Sequence, residues 1–463
     1  MDINLNLNIF STTWKIILNK RQVRLGIVIA TVLAAMLASY WGSLQLYLLL
    51  MGGLVSVAGL LVLMRFPNLG YILVVVGGMF IPFAGPGGFN ASILILILVA
   101  ALWLMDMFIV RREFRFVKSP AIRPAGFLMI ISVVALGMGQ ISWFSFARHA
   151  PLDAQLGGFA IYFFSLLTMV MMANMITDIR WLKAIVWVFI GLGTIYVLGN
   201  AAELTIFDKI YQKGVYANSM FWTWMVALCL GQALFNNDLK ISRRAILYVI
   251  VAVTFFVAFY QQNDWKSGWV PPAVTAMALV GLRYKKLALA AIPFILIYGI
   301  YAAQSLISTD QYSWGTRVDA WIVVLDISRI SPLFGLGFGN YYWYAPLFDL
   351  RGYNIRFNSH SQYVDLIAQT GIAGLACFVW ILYEIGSLAW KLTTQVREGF
   401  ARGYIYGVLG GVAGVVMAAF LVDWVLPFAY NIGLDGFRAS IYPWIFFGGL
   451  IAIEQLYLAK KNL

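Results

Sequence analysis

The chain has 463 residues, of which 62% are hydrophobic and only 11% are charged, and its formal net charge is +13. In an average soluble domain about a quarter of the residues are charged, so this chain could not cover its surface with polar groups in water. The composition therefore excludes an ordinary soluble protein and indicates a polytopic integral membrane protein.

The N-terminal segment is polar and then basic, and a long apolar run follows it. No cleavable signal peptide is evident, because the segment lacks an apolar core followed by a cleavage site. We therefore expect residues 1–24 to form a cytoplasmic leader. The two cysteines, Cys229 and Cys377, lie inside apolar runs, which favours small buried side chains and gives no support to a disulfide framework.

Fourteen runs are candidates for membrane-spanning helices, since a span needs about 20 mostly apolar residues. They lie near 25–41, 43–64, 69–84, 91–110, 125–146, 157–177, 182–202, 217–235, 245–260, 268–282, 287–303, 371–390, 403–424 and 439–457. The runs near 69–84 and 268–282 are short and contain prolines, so the expected count is twelve to fourteen. We expect an all-α transmembrane bundle built from residues 25–303 and 363–463.

The basic residues support one orientation of this bundle. When the N-terminus is placed in the cytoplasm, most of the 32 Lys and Arg residues fall in cytoplasmic segments, as the positive-inside rule requires. This distribution also explains the basic composition without nucleic acid. The same topology places His149, His360 and a long connection, residues 304–362, on the extracytoplasmic side, and connections of this length are usually functional.

The long extracytoplasmic connection is rich in Trp, Tyr and Phe, which disordered segments lack. Its apolar residues recur at helical spacing over 315–330, which predicts an amphipathic helix that ends before Pro332. A second helix is expected to begin with Asn358 or Ser359 as its cap and to end at Gly371, before the next span. We therefore expect a large, partly helical extracytoplasmic loop.

Several substrate classes are disfavoured by missing motifs. The sequence has no GxxxxGK[ST] phosphate loop, its GLGFGN segment lacks a full dinucleotide fingerprint, and it has no Asp-x-Asp pair suited to a metal–nucleotide-sugar complex. ATP, NAD and nucleotide sugars are therefore disfavoured as direct substrates. Acidic residues in the spans are sparse, which argues against ion-coupled transport: Asp106, Glu203, Glu384, Asp423 and Glu454.

Basic residues gather on the extracytoplasmic side, where they could bind a lipid-linked diphosphate. They are Lys266 after a span, Arg317 at the start of the loop helix, and Arg351 and Arg356 farther along the loop. His360 lies near a helix N-terminus, where the dipole disfavours the imidazolium, so a neutral imidazole could accept a proton from a sugar hydroxyl. Each residue also has a structural alternative, such as a snorkelling lysine, a solvated arginine or a capping histidine.

Aromatic residues of the loop could stack on sugar rings. The candidates are Trp314, Trp321, Tyr341 and Tyr342. The competing interpretation is an interfacial aromatic belt, which is common where a chain leaves the bilayer.

Three sequence motifs carry a family resemblance. In HSQYVDLIAQTGIAG, His360 and Ser361 are followed by nine positions and then by Gly371 and Gly374, which fits a pattern of His, then Asn, Ser or Gln, nine free positions and Gly-x-x-Gly. Upstream, RVDAW and SPLFGLGFGNYY supply an Arg before a Pro-x-x-Gly-x-Gly segment. Over about 313–375 the chain resembles the O-antigen ligase and Wzy-type polysaccharide polymerase family, whose motifs flank one long periplasmic loop.

One departure from this family concerns the upstream cation. Where the family often has an Arg in a Ser-Arg-Gly-like sequence before a span, this chain has Lys266. Lysine supplies a charge without the two-point grip of a guanidinium. A role for Lys266 in diphosphate binding is therefore less well supported than one for Arg317.

The resemblance implies a GT-C-like membrane glycosyltransferase of the bacterial inner membrane that works at the periplasmic face. Its donor would be a glycan on a polyprenyl diphosphate, such as undecaprenyl diphosphate. Its acceptor would be a hydroxyl of another lipid-linked glycan or of a lipid-anchored core sugar, as in lipopolysaccharide synthesis. It would need no metal and no other cofactor, because fixed cations of the chain replace the metal.

The resemblance also implies roles for individual residues. Arg317, assisted by Lys266, would bind the diphosphate leaving group, and His360 would orient or deprotonate the acceptor hydroxyl or contact the phosphate. Ligase and polymerase activities stay open at this point. A transporter or flippase of lipid-linked oligosaccharides is the alternative from another functional class, and a structural membrane scaffold is a third.

Overall fold

The structure is a computed structural model that describes residues 25–26, 28–33, 36, 44–85, 88–113, 116–262, 264–286, 289–290, 311–397 and 399–461. Within these ranges it consists of helices, turns and two isolated β-bridges, without a strand. The predicted all-α class is therefore confirmed for the described ranges. The leader (residues 1–24) and residues 304–310 of the long loop lie outside the described residues. So do most of the spans predicted near 25–41 and 287–303.

The described helices are numbered here in chain order. They are α1 (Leu44–Arg65), α2 (Leu69–Phe80), α3 (Ala91–Met105), α4 (Ile122–Met138), α5 (Leu152–Met175), α6 (Ile179–Ala201), α7 (Ile206–Ile210), α8 (Lys213–Tyr216), α9 (Ser219–Phe235), α10 (Ile241–Phe256), α11 (Lys266–Arg283), α12 (Gln311–Ser328), α13 (Asn340–Tyr344), α14 (Gln362–Gln395), α15 (Gly399–Leu421) and α16 (Gly433–Lys461). Helices α3 and α10 each continue into a π-helical segment, Asp106–Arg111 and Val257–Gln261.

Seven helices of the described residues are long and apolar enough to cross a membrane: α3 and α10 with their π-helical segments, α5, α6, α14, α15 and α16. Helices α2, α4 and α9 and residues Met51–Arg65 of α1 are shorter apolar helices. Each predicted span within the described residues coincides with a helix, which supports a multi-pass membrane protein. The total of fourteen spans and the GT-C likeness stay predictions.

The chain divides into two compact units. One comprises Met1–Gly70 and Ile97–Arg115, and the other comprises Tyr71–Leu96 and Phe116–Leu463. All residues of the candidate site belong to the second unit. Its centre is α9, which packs against α10, α11, α15 and α16. Every residue of α9 is buried, as expected for a helix that is apolar on all sides.

Helices α9 and α15 approach each other closely because glycines meet where they pack. A Cβ atom at Gly231 would lie only 2.5–2.8 Å from backbone atoms of Gly403 and Gly407. Small residues allow such close packing, which is a main source of helix association in a bilayer. This contact fixes α15, whose C-terminal end at Leu421 reaches the candidate site.

The two helices predicted for the long loop are present, with different bounds. The amphipathic helix is α12, which begins at Gln311, earlier than predicted, and ends at Ser328. Helix α14 begins later than predicted, because its N-cap is Ser361 and not Asn358 or Ser359. The Ser361 side chain makes no capping hydrogen bond, and the Ser359 hydroxyl lies 2.7 Å from the buried Asp365 carboxyl group.

Candidate active site

Helix α14 is interrupted at Gly371, where the backbone has φ 72° and ψ −176°, so the predicted helix end at this residue is a break within a longer helix. A side chain at Gly371 would collide with the carbonyl group of Leu333. Glycine is needed here both for the positive φ and for the close approach.

The Pro-x-x-Gly-x-Gly segment docks on this break. Four backbone hydrogen bonds join the two segments, two in each direction: Leu336 N to Ala368 O (2.8 Å), Gly337 N to Gln369 O (3.1 Å), Ile372 N to Pro332 O (2.9 Å) and Ala373 N to Leu333 O (3.2 Å). The Pro-x-x-Gly-x-Gly motif and the motif that begins at His360 therefore form one structural unit. The loop supplies partners for backbone groups that the break in α14 leaves without helical partners.

Asn340 fastens the same loop to the transmembrane helices. Its buried side chain donates to the carbonyl oxygens of Gly139 (3.0 Å) and Leu336 (2.7 Å) and accepts from the N–H group of Ala150 (2.7 Å). Gly139 follows α4, and Ala150 precedes α5. The loop is thus held at the ends of two helices as well as at the break in α14.

His360 lies just before Ser361, the N-cap of α14, and its side chain is half-buried. Burial and the nearby Arg317 cation lower the pKa of His360 to about 4, because both disfavour the imidazolium. The imidazole is therefore neutral at pH 7. Burial is the larger cause, whereas the sequence pattern had pointed to the helix dipole.

Arg317 approaches His360 from α12. Its Nη1 atom donates a hydrogen bond to the carbonyl oxygen of Leu421 (3.1 Å), the last residue of α15. The bond joins the loop helix to the end of a membrane helix. The two predicted catalytic residues thus lie within electrostatic range of each other, although they are 43 positions apart in the sequence.

Asp423 is the third ionisable group at this place. It was expected inside the span near 403–424, but α15 ends at Leu421 and Asp423 lies in the connection that follows. The carboxyl group is buried and accepts a hydrogen bond from Asn431 Nδ2 (2.6 Å). Burial raises the pKa of Asp423, whereas the Asn431 hydrogen bond and the nearby Arg317 cation lower it. We call Arg317, His360 and Asp423 the Arg–His–Asp site.

Lys266 is exposed at the first position of α11. The preceding Trp265 packs against Trp424, with ring centroids 5.6 Å apart, and Trp424 directly follows Asp423. The start of α11 therefore lies beside the connection that completes the Arg–His–Asp site. Contact between Lys266 and a diphosphate stays a prediction.

The other two predicted diphosphate ligands have protein partners. Arg351 Nε lies 2.5 Å from Asp319 Oδ2 in an ion pair. Residues two apart on a helix point in nearly opposite directions, so Asp319 and Arg317 lie on different sides of α12. Arg356 is exposed, and its guanidinium carbon lies 3.7 Å from the centroid of the Trp343 ring, a cation–π contact. Diphosphate binding by Arg351 and Arg356 stays a prediction.

The four aromatic candidates for sugar contact differ in their environments. Trp321 and Tyr342 are half-buried and keep part of their rings exposed. Tyr341 is completely buried and its hydroxyl donates to Asp365, which favours a structural role over the predicted sugar contact. Trp314 lies on α12, but its side chain is outside the described residues.

The sequence match to known proteins covers this site in part. Residues 225–379 match the protein family described as O-antigen ligase (Wzy_C), a range that includes Arg317 and His360 but not Asp423. None of the curated proteins matches the chain significantly. The resemblance predicted from the sequence motifs is confirmed by this match over residues 225–379.

Proposed function

We propose that the chain is a membrane glycosyltransferase that moves a glycan from a polyprenyl diphosphate to a hydroxyl group of a sugar acceptor. The observation that carries this proposal is the meeting of Arg317 and His360 where a loop helix contacts the end of a membrane helix. The O-antigen ligase family domain supports it, since that family implies a glycosyl-transferring enzyme with lipid-linked substrates. The reaction takes place at the periplasmic face of a bacterial inner membrane.

Arg317 binds the diphosphate of the donor in this proposal. Its planar guanidinium can contact two phosphate oxygens at once. As the bond between the anomeric carbon and the diphosphate oxygen breaks, the leaving group gains negative charge, which a fixed cation stabilises. The half-buried position of Arg317 strengthens this effect, because water screens the charges less.

His360 accepts the proton of the acceptor hydroxyl. The acceptor oxygen forms a bond to the anomeric carbon, the hydroxyl proton passes to the imidazole, and polyprenyl diphosphate leaves with the bonding electrons. Attack opposite the leaving group inverts the anomeric carbon. A pKa of about 4 makes His360 a weak base in the free protein, but a bound diphosphate anion would raise this pKa by favouring the imidazolium. Donor binding would therefore prepare the base.

The test is a transfer assay with purified protein in lipid nanodiscs, a polyprenyl-diphosphate glycan and a lipid-anchored sugar acceptor. We expect His360→Ala and Arg317→Ala to lower transfer at least about a hundredfold, to a residual rate, and Arg317→Lys to lose at least about tenfold because the two-point grip is lost. The matched control is Arg329→Ala, which removes an exposed arginine just after the same helix. Arg329 forms an ion pair with the exposed Asp326. Wild-type rates in both His360→Ala and Arg317→Ala would refute the proposal.

Product size separates the two activities within the family. Lengthening of lipid-linked chains indicates a polymerase, whereas single-step capping of a core sugar indicates a ligase. Movement of the lipid-linked glycan across liposomes without any glycan transfer would support the flippase alternative.

A further inference from the structure

The backbone of His360 is held in an uncommon conformation. Its φ is 48°, in the left-handed region that residues with a side chain rarely adopt. Such a conformation persists only where surrounding contacts determine it, and it is frequent at functional sites. The contacts that hold the residue before His360 therefore control where the imidazole points.

A buried hydrogen-bond network fixes that preceding residue, Ser359. The Ser359 N–H group donates to the Tyr341 hydroxyl oxygen (3.2 Å), and the Tyr341 hydroxyl donates to Asp365 Oδ1 (2.6 Å). The Ser359 hydroxyl lies 2.7 Å from the same Asp365 oxygen. All three residues are completely buried. Tyr341 and Asp365 thus hold both the backbone and the side chain of Ser359.

The helix that carries Arg317 holds Ser359 from another direction. Trp321 lies four residues after Arg317, on the same side of α12. Its indole Nε1 donates to the carbonyl oxygen of Ser359 (2.7 Å). One helix face therefore supplies the cation and also fixes the backbone next to His360.

We propose that Tyr341 and Asp365 are positioning residues that hold the His360 imidazole beside Arg317, and that they act through Ser359. This inference rests on the proposed function, because it assigns Tyr341 and Asp365 a part in the glycosyl transfer. Within the network, Asp365 supplies the acceptor oxygen Oδ1, to which both Tyr341 and Ser359 bind. The other oxygen, Oδ2, is buried and has no hydrogen-bond partner among the described residues.

Two substitutions of Asp365 separate its acceptor oxygen from its acidity. Asp365→Asn keeps one acceptor oxygen for Tyr341 and Ser359, whereas Asp365→Ala removes it. Tyr341→Phe removes the hydroxyl that both accepts from Ser359 and donates to Asp365. The matched control is Tyr344→Phe, since Tyr344 is buried in the same cluster and its hydroxyl contacts the backbone of Ile141 (3.5 Å) and Trp143, which belong to the connection after α4 and not to the Ser359 network.

The experiment measures kcat and the acceptor KM of each variant in the nanodisc assay. Tyr341→Phe and Asp365→Ala should lower kcat by about tenfold to a hundredfold, as small misplacements of catalytic groups do, while the acceptor KM changes less than about threefold on the same grounds. Asp365→Asn and Tyr344→Phe should stay close to the wild type. Equal losses in Asp365→Asn and Asp365→Ala, or in Tyr341→Phe and Tyr344→Phe, would overturn the proposal.

A double-mutant cycle tests whether the network acts through His360. If it does, adding Tyr341→Phe to His360→Ala should cost much less than Tyr341→Phe alone, because the imidazole to be positioned is already absent. If the rate losses of Tyr341→Phe and His360→Ala multiply in the double variant, Tyr341 has no positioning role. Its loss would then reflect a general effect on folding. Wild-type rates in both His360→Ala and Arg317→Ala would instead refute the proposed function, so the two failures are distinguishable.

Discussion

The protonation of His360 can be measured directly, because the chain contains only one other histidine, His149. Protein labelled with ¹³C at the imidazole Cε1 positions should give two resonances, and His149→Gln assigns the one that remains. The difference between a pKa of about 4 and the ordinary value of about 6.5 corresponds to about 3 kcal/mol in favour of the neutral imidazole.

At pH 5.5 the contrast is large. With its pKa of about 4, His360 should be about 3% protonated, whereas an ordinary histidine would be about 90% protonated. Arg317→Gln removes the second cause of the lowered pKa, so the titration midpoint should rise but stay below about 6.5, since burial remains. Addition of a short-chain prenyl diphosphate to the wild type should also raise the midpoint.

Two results would contradict this reasoning. A wild-type midpoint between about 6 and 7, the usual range, would show that burial and Arg317 do not act on His360 as described. A midpoint that does not move when Arg317 is replaced would show that the two side chains are not close enough to interact.

Three further predictions concern the scaffold beneath the site. Gly335→Ala should lower the unfolding temperature strongly, because its Cβ would lie 2.5–2.6 Å from the α14 backbone. The control Gly352→Ala, also at positive φ but in open space, should cost only about 1 kcal/mol. Equal effects of the two substitutions would count against docking of the loop. Asn340→Ala removes three hydrogen bonds and leaves the Ala150 N–H and Leu336 carbonyl without that partner, while the Gly139 carbonyl keeps Gln155. It should cost about 3 kcal/mol by denaturant titration, unlike the exposed Asn354→Ala, and matching values would disprove the anchoring role. Gly231→Leu should prevent close packing of α9 and α15, and no monodisperse protein should then be recovered. Normal elution of this variant on size-exclusion chromatography would refute the contact between the two helices.

The parts of the fold that follow from local chemistry were predictable from sequence. The apolar runs identify the helices, and the break at Gly371 follows from a glycine at a helix end. The bounds of the loop helices were not predictable to the residue. Asn358, Ser359 and Ser361 are all good caps by residue type. Sequence does not show that the Ser359 side chain is held by the buried Asp365 or that α14 begins only after Ser361.

The site was predictable only in part for the same reason. Arg317 and His360 belong to motifs of fixed spacing, but Asp423 has no motif, and its place depends on where α15 ends, which sequence fixes only within a few residues. Tyr341 and Tyr342 are adjacent and chemically alike. Only the tertiary structure shows that Tyr341 is buried in a network while Tyr342 stacks beside Tyr430.

The docking of the Pro-x-x-Gly-x-Gly segment on the break in α14 has a consequence for engineering. Backbone groups of each segment find their hydrogen-bond partners in the other segment. Neither segment can therefore be transplanted alone into a related enzyme. A chimaera that exchanges loops to change acceptor choice should keep residues 331–337 and 366–374 from the same parent. Crossover points inside either stretch would leave main-chain polar groups without partners at the membrane surface, where such groups are costly.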